Sequence, residues 1–166
     1  MQLPDPIKRF LYPSINRRYL GRLLFLGLSC YLIFSYLLIP LRIQGHSMEP
    51  TYNDASFAFC WRPQYAFSQI KRFDIVTVRF TGKSIMLLKR VIGLPGETLE
   101  FRQGILYINE KQIQEPYVRH RRPWNLAPRR IKPDHVYIVG DNRGTPMSSH
   151  VFGQVQINRI IGGVVP

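Results

Sequence analysis

The chain has little of what several protein classes require. Its 166 residues include only two cysteines, Cys30 and Cys60, and the first lies inside an apolar run, so a disulfide framework is excluded. The four histidines lack the spacing of metal ligands, which does not favour a metal enzyme. Acids are also scarce: 10 Asp and Glu against 23 Lys and Arg leave a formal net charge of +13. This surplus favours an anionic partner, either a lipid surface or nucleic acid.

Charged residues are absent from Leu23 to Leu41, a run of 19 residues. As a helix this run would span about 28 Å, close to the hydrocarbon thickness of a bilayer. Its apolar side chains lie all around the helix rather than on one stripe, which argues against a buried core helix. No small-residue cleavage site follows in Arg42, Ile43 and Gln44. We therefore expect an uncleaved transmembrane anchor over 23–41.

The basic residues nearest to this anchor lie mostly on its N-terminal side. The five that precede it are Lys8, Arg9, Arg17, Arg18 and Arg22, and only Arg42 follows closely. The positive-inside rule therefore predicts a cytoplasmic segment 1–22 and an extracytoplasmic domain 42–166, with a single pass through the plasma (inner) membrane. The phospholipid bilayer is then a partner. Nucleic acid is not expected, because the later basic residues lie outside the cytoplasm.

Beyond the anchor, short segments rich in β-branched and aromatic residues are separated by Gly and Pro, with no sustained 3.6-residue period. This pattern predicts one all-β domain of ordinary size. The predicted strands are 56–61, 74–80, 85–92, 98–102, 105–108, a short strand from 111, 135–139 and 157–165. The two strands joined across Gln103 and Gly104 have the spacing of a hairpin.

Residues 117–132 contain five Arg, one Lys, Trp124 and two Pro but no acid, and they are not predicted to form regular structure. A solvated basic loop is the simpler interpretation. The functional alternative is a patch that rests on anionic headgroups, with the Trp124 ring at the membrane interface.

Ser47 and Lys89 are candidates for nucleophilic chemistry. A serine just after Gly45 can be held exposed on a turn, with its own backbone N–H free to face a reacting carbonyl. Alternation in an apolar strand places Lys89 on the face of Leu87 and Val91. Burial there would lower its pKa from about 10.4 and leave an amine that can take a proton from a serine. Either residue alone is weak evidence, because turn serines are common and most strand lysines reach solvent.

A third motif, Gly140-Asp141-Asn142-Arg143, follows an apolar strand and by itself indicates only a tight turn. Together and in this order, the motifs resemble those of the bacterial type I signal peptidases (leader peptidases), serine proteases that remove signal peptides from exported proteins. The matching segments are Ser-Met-x-Pro-Thr at 47–51, the run from Lys89 to Glu97, and Gly140 to Arg143.

This resemblance implies a mainly antiparallel β catalytic domain with a small β cap near residues 99–132. It implies no metal or organic cofactor, and exported preproteins with small residues at the first and third positions before the cut as substrates. Ser47 would attack the scissile carbonyl, Lys89 would take its proton and pass it to the leaving amine, and the Ser47 N–H would hold the oxyanion. Gly45 stands where some relatives carry a second, hydroxyl donor. An extended substrate would pair with the backbone on two sides of a cleft, Ile43, Gln44 and Gly45 on one side and Met86, Leu87 and Leu88 on the other.

The resemblance weakens after Arg143. The family usually continues Asp-Asn-Ser-x-Asp-Ser-Arg, whereas this chain reads Gly-Thr-Pro-Met-Ser-Ser-His over 144–150, and the serine that normally steadies the lysine falls at Pro146. Either a hydroxyl from this segment takes its place, or backbone and packing orient Lys89. The candidates for this supporting shell are Asp141, Arg143, Thr145, Ser148 and Ser149.

Other functions stay open from the sequence. A specialised maturation protease with few substrates would use the same Ser-Lys chemistry, and the altered segment also fits a catalytically degenerate, membrane-tethered binding protein. A Ser-His-Asp hydrolase is chemically possible, although none of its candidates lies in a nucleophile-elbow motif. Those candidates are His46, His135, His150, Asp134 and Asp141.

Overall fold

The structure of the chain is a computed structural model that describes residues 16–79 and 86–165. The chain divides into two compact units, Met1–Tyr36 and Leu37–Pro166. Most of the predicted cytoplasmic segment, up to residue 15, lies outside the described residues, and so do positions 80 and 85 at the ends of two predicted strands.

The first unit contains helix α1, Arg17–Leu32, which continues as a π-helical turn over Ile33–Leu37. Asn16 caps the helix, because its side-chain oxygen accepts a hydrogen bond from the backbone N–H of Tyr19 at 2.8 Å. With a mean hydropathy of 1.6 over an 18-residue window, the helical segment Arg17–Leu37 is the one among the described residues that is long and apolar enough to cross a membrane.

The second unit is built from antiparallel strands, as predicted. The large sheet has seven strands in the order β1-β2-β11-β3-β4-β9-β10, and the small sheet has four in the order β7-β6-β5-β8. The large-sheet strands are β1 (Leu38–Arg42), β2 (Phe57–Trp61), β3 (Ile75–Arg79), β4 (Met86–Gly93), β9 (His135–Val139), β10 (Gly153–Gln156) and β11 (Ile160–Val165). The small-sheet strands are β5 (Thr98–Arg102), β6 (Ile105–Ile108), β7 (Lys111–Gln112) and β8 (Leu126–Arg130). A short helix, α2 (Gln64–Phe67), follows β2.

Two apolar cores hold the sheets together. One core contains residues of both sheets and so fixes the small sheet to the large one; its buried members are Ile92, Leu99, Phe101, Leu106, Ile108, Trp124, Ile131, Tyr137 and Val139. The other uses the alternate residues of the large sheet, namely Val76, Val78, Val91, Val136 and Ile138. The small sheet therefore caps one face of the large sheet, as the resemblance implied.

Leu38–Leu41, which the sequence analysis assigned to the anchor, form β1 instead. The helical segment ends at Leu37. Pro40 disfavours a further helical turn, because proline lacks the backbone N–H that the turn would need. Proline is tolerated in β1 because this strand lies at the edge of the sheet.

The expectation of no regular structure over 117–132 is wrong in part, because β8 lies inside this segment. Its basic residues are exposed, but Trp124 is only 4% exposed and belongs to the first core. The indole N–H donates to the backbone oxygen of Thr145 at 2.9 Å. A Trp124 ring resting on headgroups is therefore contradicted.

The last predicted strand, 157–165, begins later than expected. Ile157–Arg159 form a 3-10 turn, and β11 starts at Ile160. The sequence analysis also missed β10.

Candidate active site

Ser47 and Lys89 lie side by side. Ser47 follows β1 in the turn that leads to β2, and Lys89 is in the middle of β4. The Nζ atom of Lys89 is 2.6 Å from the Oγ atom of Ser47, a short hydrogen bond. The structure thus brings together the two residues that the sequence analysis paired, in the geometry that a base and its nucleophile require.

Lys89 is almost completely removed from water, with 3% of its surface exposed. This burial lowers the pKa of Lys89 to about 8, and the negative charge of Asp141 opposes the shift. The ammonium form is disfavoured because it loses its hydration. An amine with this pKa is unprotonated in part of the population near neutral pH and can accept a proton.

The backbone around Ser47 rests on the turn that follows β9. The N–H of Asn142 donates to the carbonyl oxygen of Ser47 at 3.1 Å, and the Asn142 side-chain amide donates to that of His46 at 3.0 Å. Gly140 allows this close approach, because a Cβ atom there would overlap the Ser47 carbonyl oxygen. Among the described residues the N–H of Ser47 makes no hydrogen bond and is available to an oxyanion.

Asp141 links the nucleophile segment to β4. Its carboxylate accepts from Arg90 at 2.8 Å (Nε) and 2.6 Å (Nη2), and from the Thr51 hydroxyl at 2.5 Å. The Arg90 and Asp141 side chains are buried, and such bidentate pairs between a guanidinium and a carboxylate are strong and directional. Asp141 therefore positions the segment that carries Ser47 relative to the strand that carries Lys89.

Arg143 forms a second buried ion pair, with Glu115 of the cap. Its Nη2 atom lies 2.5 Å from a carboxylate oxygen of Glu115, and its Nε atom donates to the Gly140 oxygen at 3.0 Å. The Tyr117 hydroxyl donates to the same oxygen of Glu115 at 2.7 Å, and burial raises the pKa of this tyrosine. The cap is thus tied to the turn that supports Ser47.

No hydroxyl of the altered segment replaces the missing serine within the part of the chain that the structure describes. Ser148 and Ser149 are exposed, and the Ser149 hydroxyl donates to the Pro146 oxygen at 2.7 Å. The Thr145 hydroxyl contacts Nε2 of His150. Of the two expectations for Lys89, the geometry favours orientation by packing and by Ser47 itself.

The His150 ring lies beside the Thr145 hydroxyl. It packs edge-on against Trp124 with centroids 4.8 Å apart. Burial lowers the pKa of His150 to about 4, and the positive charges of Lys89 and Arg143 act in the same direction. The imidazole is therefore neutral at physiological pH.

A cleft of about 380 Å³ leads away from the Ser47–Lys89 pair. It is lined by the end of β1, the nucleophile segment and the start of β4. The lining residues are Pro40, Leu41, Arg42, Ile43, Gln44, Ser47, Met48, Thr77, Met86, Leu88 and Lys89. Gly45 and Leu87 are not among them, although the sequence analysis placed both beside the substrate.

The two sides of the cleft differ in their free backbone groups. On the β1 side, Ile43 already exchanges hydrogen bonds with Ala55 and Ser56, and the Gly45 N–H donates to Asp54 at 2.7 Å. On the other side, β4 pairs with β9 only from Arg90 onward. Among the described residues Met86–Leu88 therefore have an unpaired edge, where an extended peptide can add.

None of the three candidate histidines forms a hydrogen bond with Ser47 within the part of the chain that the structure describes. His46 bonds to Glu49 through Nδ1 at 2.7 Å, and His135 contacts the Pro133 oxygen at 2.8 Å. His150 contacts Thr145. These contacts contradict a Ser-His-Asp arrangement within residues 16–79 and 86–165.

Sequence reasoning missed several residues of the site. Asn142 lay inside a quoted motif and Arg90 next to Lys89, so the signal was present but was not assigned. Glu115 had no local signal, since it is defined only by a distant partner in the fold.

Several known signal peptidases are similar to this chain. A family model described as signal peptidase, peptidase S26, matches residues 16–166. A signal peptidase I of Bacillus caldolyticus is 35% identical over 136 residues, which is 74% of each chain. Signal peptidase I V of Bacillus subtilis (strain 168) is 30% identical over 138 residues, 75% of this chain and 82% of the relative.

A solved structure is also similar. The crystal structure of a signal peptidase I from Enterococcus faecalis V583 matches with a TM-score of 0.50 and 27% identity, over 59% of this chain and 98% of that one. With a family model that covers nearly its whole length and relatives of this identity, the chain belongs to the signal peptidase family, peptidase S26, and is a serine endopeptidase.

Proposed function

We propose that the chain removes N-terminal signal peptides from exported preproteins, with Ser47 as nucleophile and Lys89 as general base. The observation that supports this most directly is the 2.6 Å contact between Ser47 Oγ and the buried Nζ of Lys89. A serine hydroxyl is a weak nucleophile until an adjacent base takes its proton.

In the first half of the reaction, Lys89 accepts the proton of Ser47 as Oγ attacks the scissile carbonyl carbon. The Ser47 N–H donates to the oxyanion that forms. Protonated Lys89 then gives its proton to the leaving amine, which becomes the N-terminus of the mature protein, and the signal peptide stays bound to Oγ as an ester. In the second half, Lys89 deprotonates a water molecule that attacks the ester, and protonated Lys89 then returns the proton to Ser47 Oγ as the signal peptide is released.

The substrate binds as an added strand. Its signal-peptide portion lies in the cleft along the unpaired edge of Met86–Leu88, with small side chains at the first and third positions before the cut. On the opposite side Gln44 offers the backbone groups, because those of Ile43 are already hydrogen-bonded.

Helix α1 anchors the enzyme in the plasma membrane in a single pass. The basic residues that precede Leu23 stay in the cytoplasm, and the β unit lies outside, where preproteins emerge.

The test uses the full chain in detergent and a preprotein with an Ala-x-Ala site. The parent is expected to cut after the second Ala, whereas Ser47→Ala and Lys89→Ala lose roughly 10³-fold or more in kcat/KM. Lys111→Ala, which changes an exposed lysine, serves as the matched control and keeps full activity. A parent without cleavage activity, or an active Lys89→Ala variant, contradicts the proposal; an inert parent that still binds the preprotein points to a binding protein.

A further inference from the structure

A second pocket, of about 380 Å³, lies where the connection from β8 to β9 joins the small sheet to the large one. Its polar lining residues are Arg129, Lys132, His135, Tyr137 and Gln154. Among the described residues it shares no lining residue with the cleft beside Ser47. No acidic residue lines this pocket, so its charge suits an anion.

Strand register explains why these side chains meet. Arg129 of β8 pairs with Leu99 of β5, so its side chain leaves the small sheet on the face of Leu99, which is buried in the core that joins the sheets. On β9, His135 and Tyr137 alternate onto one face, and Tyr137 belongs to the same core. Arg129 and His135 therefore approach the pocket from opposite sheets.

The connection that carries Lys132 is held in place by Gln154 of β10. The Gln154 amide oxygen accepts from the Lys132 backbone N–H at 3.0 Å, and its amide nitrogen donates to the Arg130 oxygen at 3.0 Å. At the end of the connection, Nδ1 of His135 contacts the Pro133 oxygen at 2.8 Å, so Nε2 of this ring is available to another partner. The backbone that presents the basic side chains is thus fixed before any ligand binds.

The protein does not neutralise the positive charge at this pocket. Within residues 16–79 and 86–165 no ion pair includes Arg129, Lys132 or His135. Asp134, the acid nearest in sequence, does not line the pocket. Burial raises the pKa of Tyr137 and the positive charge of Arg129 opposes this shift, which indicates that the guanidinium lies near the Tyr137 hydroxyl. Cations that share a pocket repel each other, and a bound anion relieves this repulsion.

We propose that this pocket binds a phosphate group, free or as part of a phosphate ester, through Arg129, Lys132 and His135. Arg129 and Lys132 are exposed, so a ligand reaches them from solvent. An arginine presents a planar fork of N–H donors that matches two phosphate oxygens, and a lysine adds a compact positive charge. A protonated imidazole can donate to a third oxygen. The site goes beyond the proposed function, because no step of the cleavage reaction uses it.

The test measures thermal unfolding of the full chain in detergent as inorganic phosphate is added at constant ionic strength. A ligand that binds the folded state raises the melting temperature, and the concentration dependence gives the dissociation constant. Phosphate also stabilises proteins in general, because it is excluded from their surface. The matched control is therefore Arg130→Gln, which removes the same charge from the neighbouring residue, on the opposite face of β8.

Arg129→Gln and Lys132→Gln are each expected to weaken phosphate binding about tenfold or more, the effect of losing a hydrogen bond to a charged group. Arg130→Gln should keep the affinity of the parent. Equal responses of Arg129→Gln and Arg130→Gln, or no saturable response in the parent, overturn the inference. Sodium acetate that gives the same Arg129-dependent shift would assign the pocket to carboxylates and also overturn it. If Arg129→Gln folds poorly, Lys132→Gln provides the same comparison from the connection rather than the strand.

Detergent micelles that contain phosphatidylglycerol distinguish the two sources of the phosphate group. If a lipid headgroup is the ligand, this lipid raises the melting temperature of the parent and of Arg130→Gln but not of Arg129→Gln, and added inorganic phosphate has little further effect. If the ligand is phosphate in solution, inorganic phosphate alone has an Arg129-dependent effect. The absence of such an effect with both probes overturns the proposal.

Discussion

In the proposed reaction, Lys89 is the residue that accepts and donates protons. Because its pKa is lowered to about 8 by burial, the reactive amine form increases as pH rises through this value. We expect kcat/KM of the free enzyme to rise with pH and level off above about 8, since that parameter reports the ionisation of the free enzyme. A pH series on a preprotein substrate measures it.

The matched control for this profile is His46→Gln. His46 is exposed, and its hydrogen bond with Glu49 raises its pKa, so it is the histidine to test as an alternative source of the rising limb. The variant should retain the profile of the parent. A limb that shifts or disappears in His46→Gln would show that histidine, not lysine, is the base.

His150 makes a separate prediction about stability. Its folded-state pKa of about 4 lies below the ordinary value of 6.5, so the unfolded chain binds a proton that the folded chain rejects. The contribution of the neutral imidazole to the unfolding free energy is fully present above pH 6.5 and is lost as pH falls from 6.5 towards 4. His150→Gln should flatten the pH dependence of the unfolding free energy in this window.

Denaturant unfolding at several pH values measures this effect, and the exposed His46 again supplies the control. If the unfolding free energy of His150→Gln falls with decreasing pH as steeply as that of the parent, a group other than His150 causes the loss of stability in acid.

At the scale of elements, the turn after β9 sets the position of the nucleophile. Gly140→Ala is expected to push the Ser47 carbonyl away and lower kcat/KM by about 10²-fold, since small displacements of a reacting group are costly. Gly144→Ala is the matched control, because its nearest neighbours would lie at 3.4 Å, an ordinary contact. Equal activity of the two variants would mean that the turn does not position Ser47.

The cap and this turn are joined by the buried pair of Glu115 and Arg143. Glu115→Ala leaves a buried guanidinium without its carboxylate, which should cost about 3–5 kcal/mol of unfolding free energy. The exposed Glu110→Ala should change it by less than about 0.5 kcal/mol. Urea unfolding compares the two, and equal values would contradict a structural role of the pair.

The sequence predicted elements well where side chains alternate or where a local motif marks a turn. The hairpin of β5 and β6 has the expected bounds, because Gln103 and Gly104 specify a two-residue connection. β8 was missed because four of its five residues are exposed and three of these are Pro or Arg, so no apolar alternation marks it. β1 was hidden in an apolar run whose composition suits a membrane helix equally well.

The residues of the site also differ in whether the sequence could identify them. Ser47 and Lys89 could be paired from the sequence because the motifs that contain them, taken together, resemble those of a known family. The partnership of Arg143 with Glu115 could not, since a buried ion pair between a cap and a turn leaves no periodic trace. Only the structure could show that no hydroxyl in the described part of the segment replaces the family serine. The Thr145 hydroxyl contacts His150 rather than Lys89.

For the whole molecule, topology is the property to test. We expect a cysteine introduced as Glu110→Cys to react with a membrane-impermeant maleimide from outside intact spheroplasts, and one introduced as Gln2→Cys to react only after lysis. The parent is the control, because Cys60 is buried and Cys30 lies in the predicted span. The reverse labelling pattern would invert the proposed orientation.

The order of strands in the large sheet has a consequence for biosynthesis. β11 lies between β2 and β3, so it joins the edge pair of β1 and β2 to the strands that carry the rest of the site. The nucleophile segment is therefore synthesised long before the strand that completes the sheet. Such late, long-range closure delays folding. We therefore expect the protease to stay inert until β11 has been made and has paired with β2 and β3.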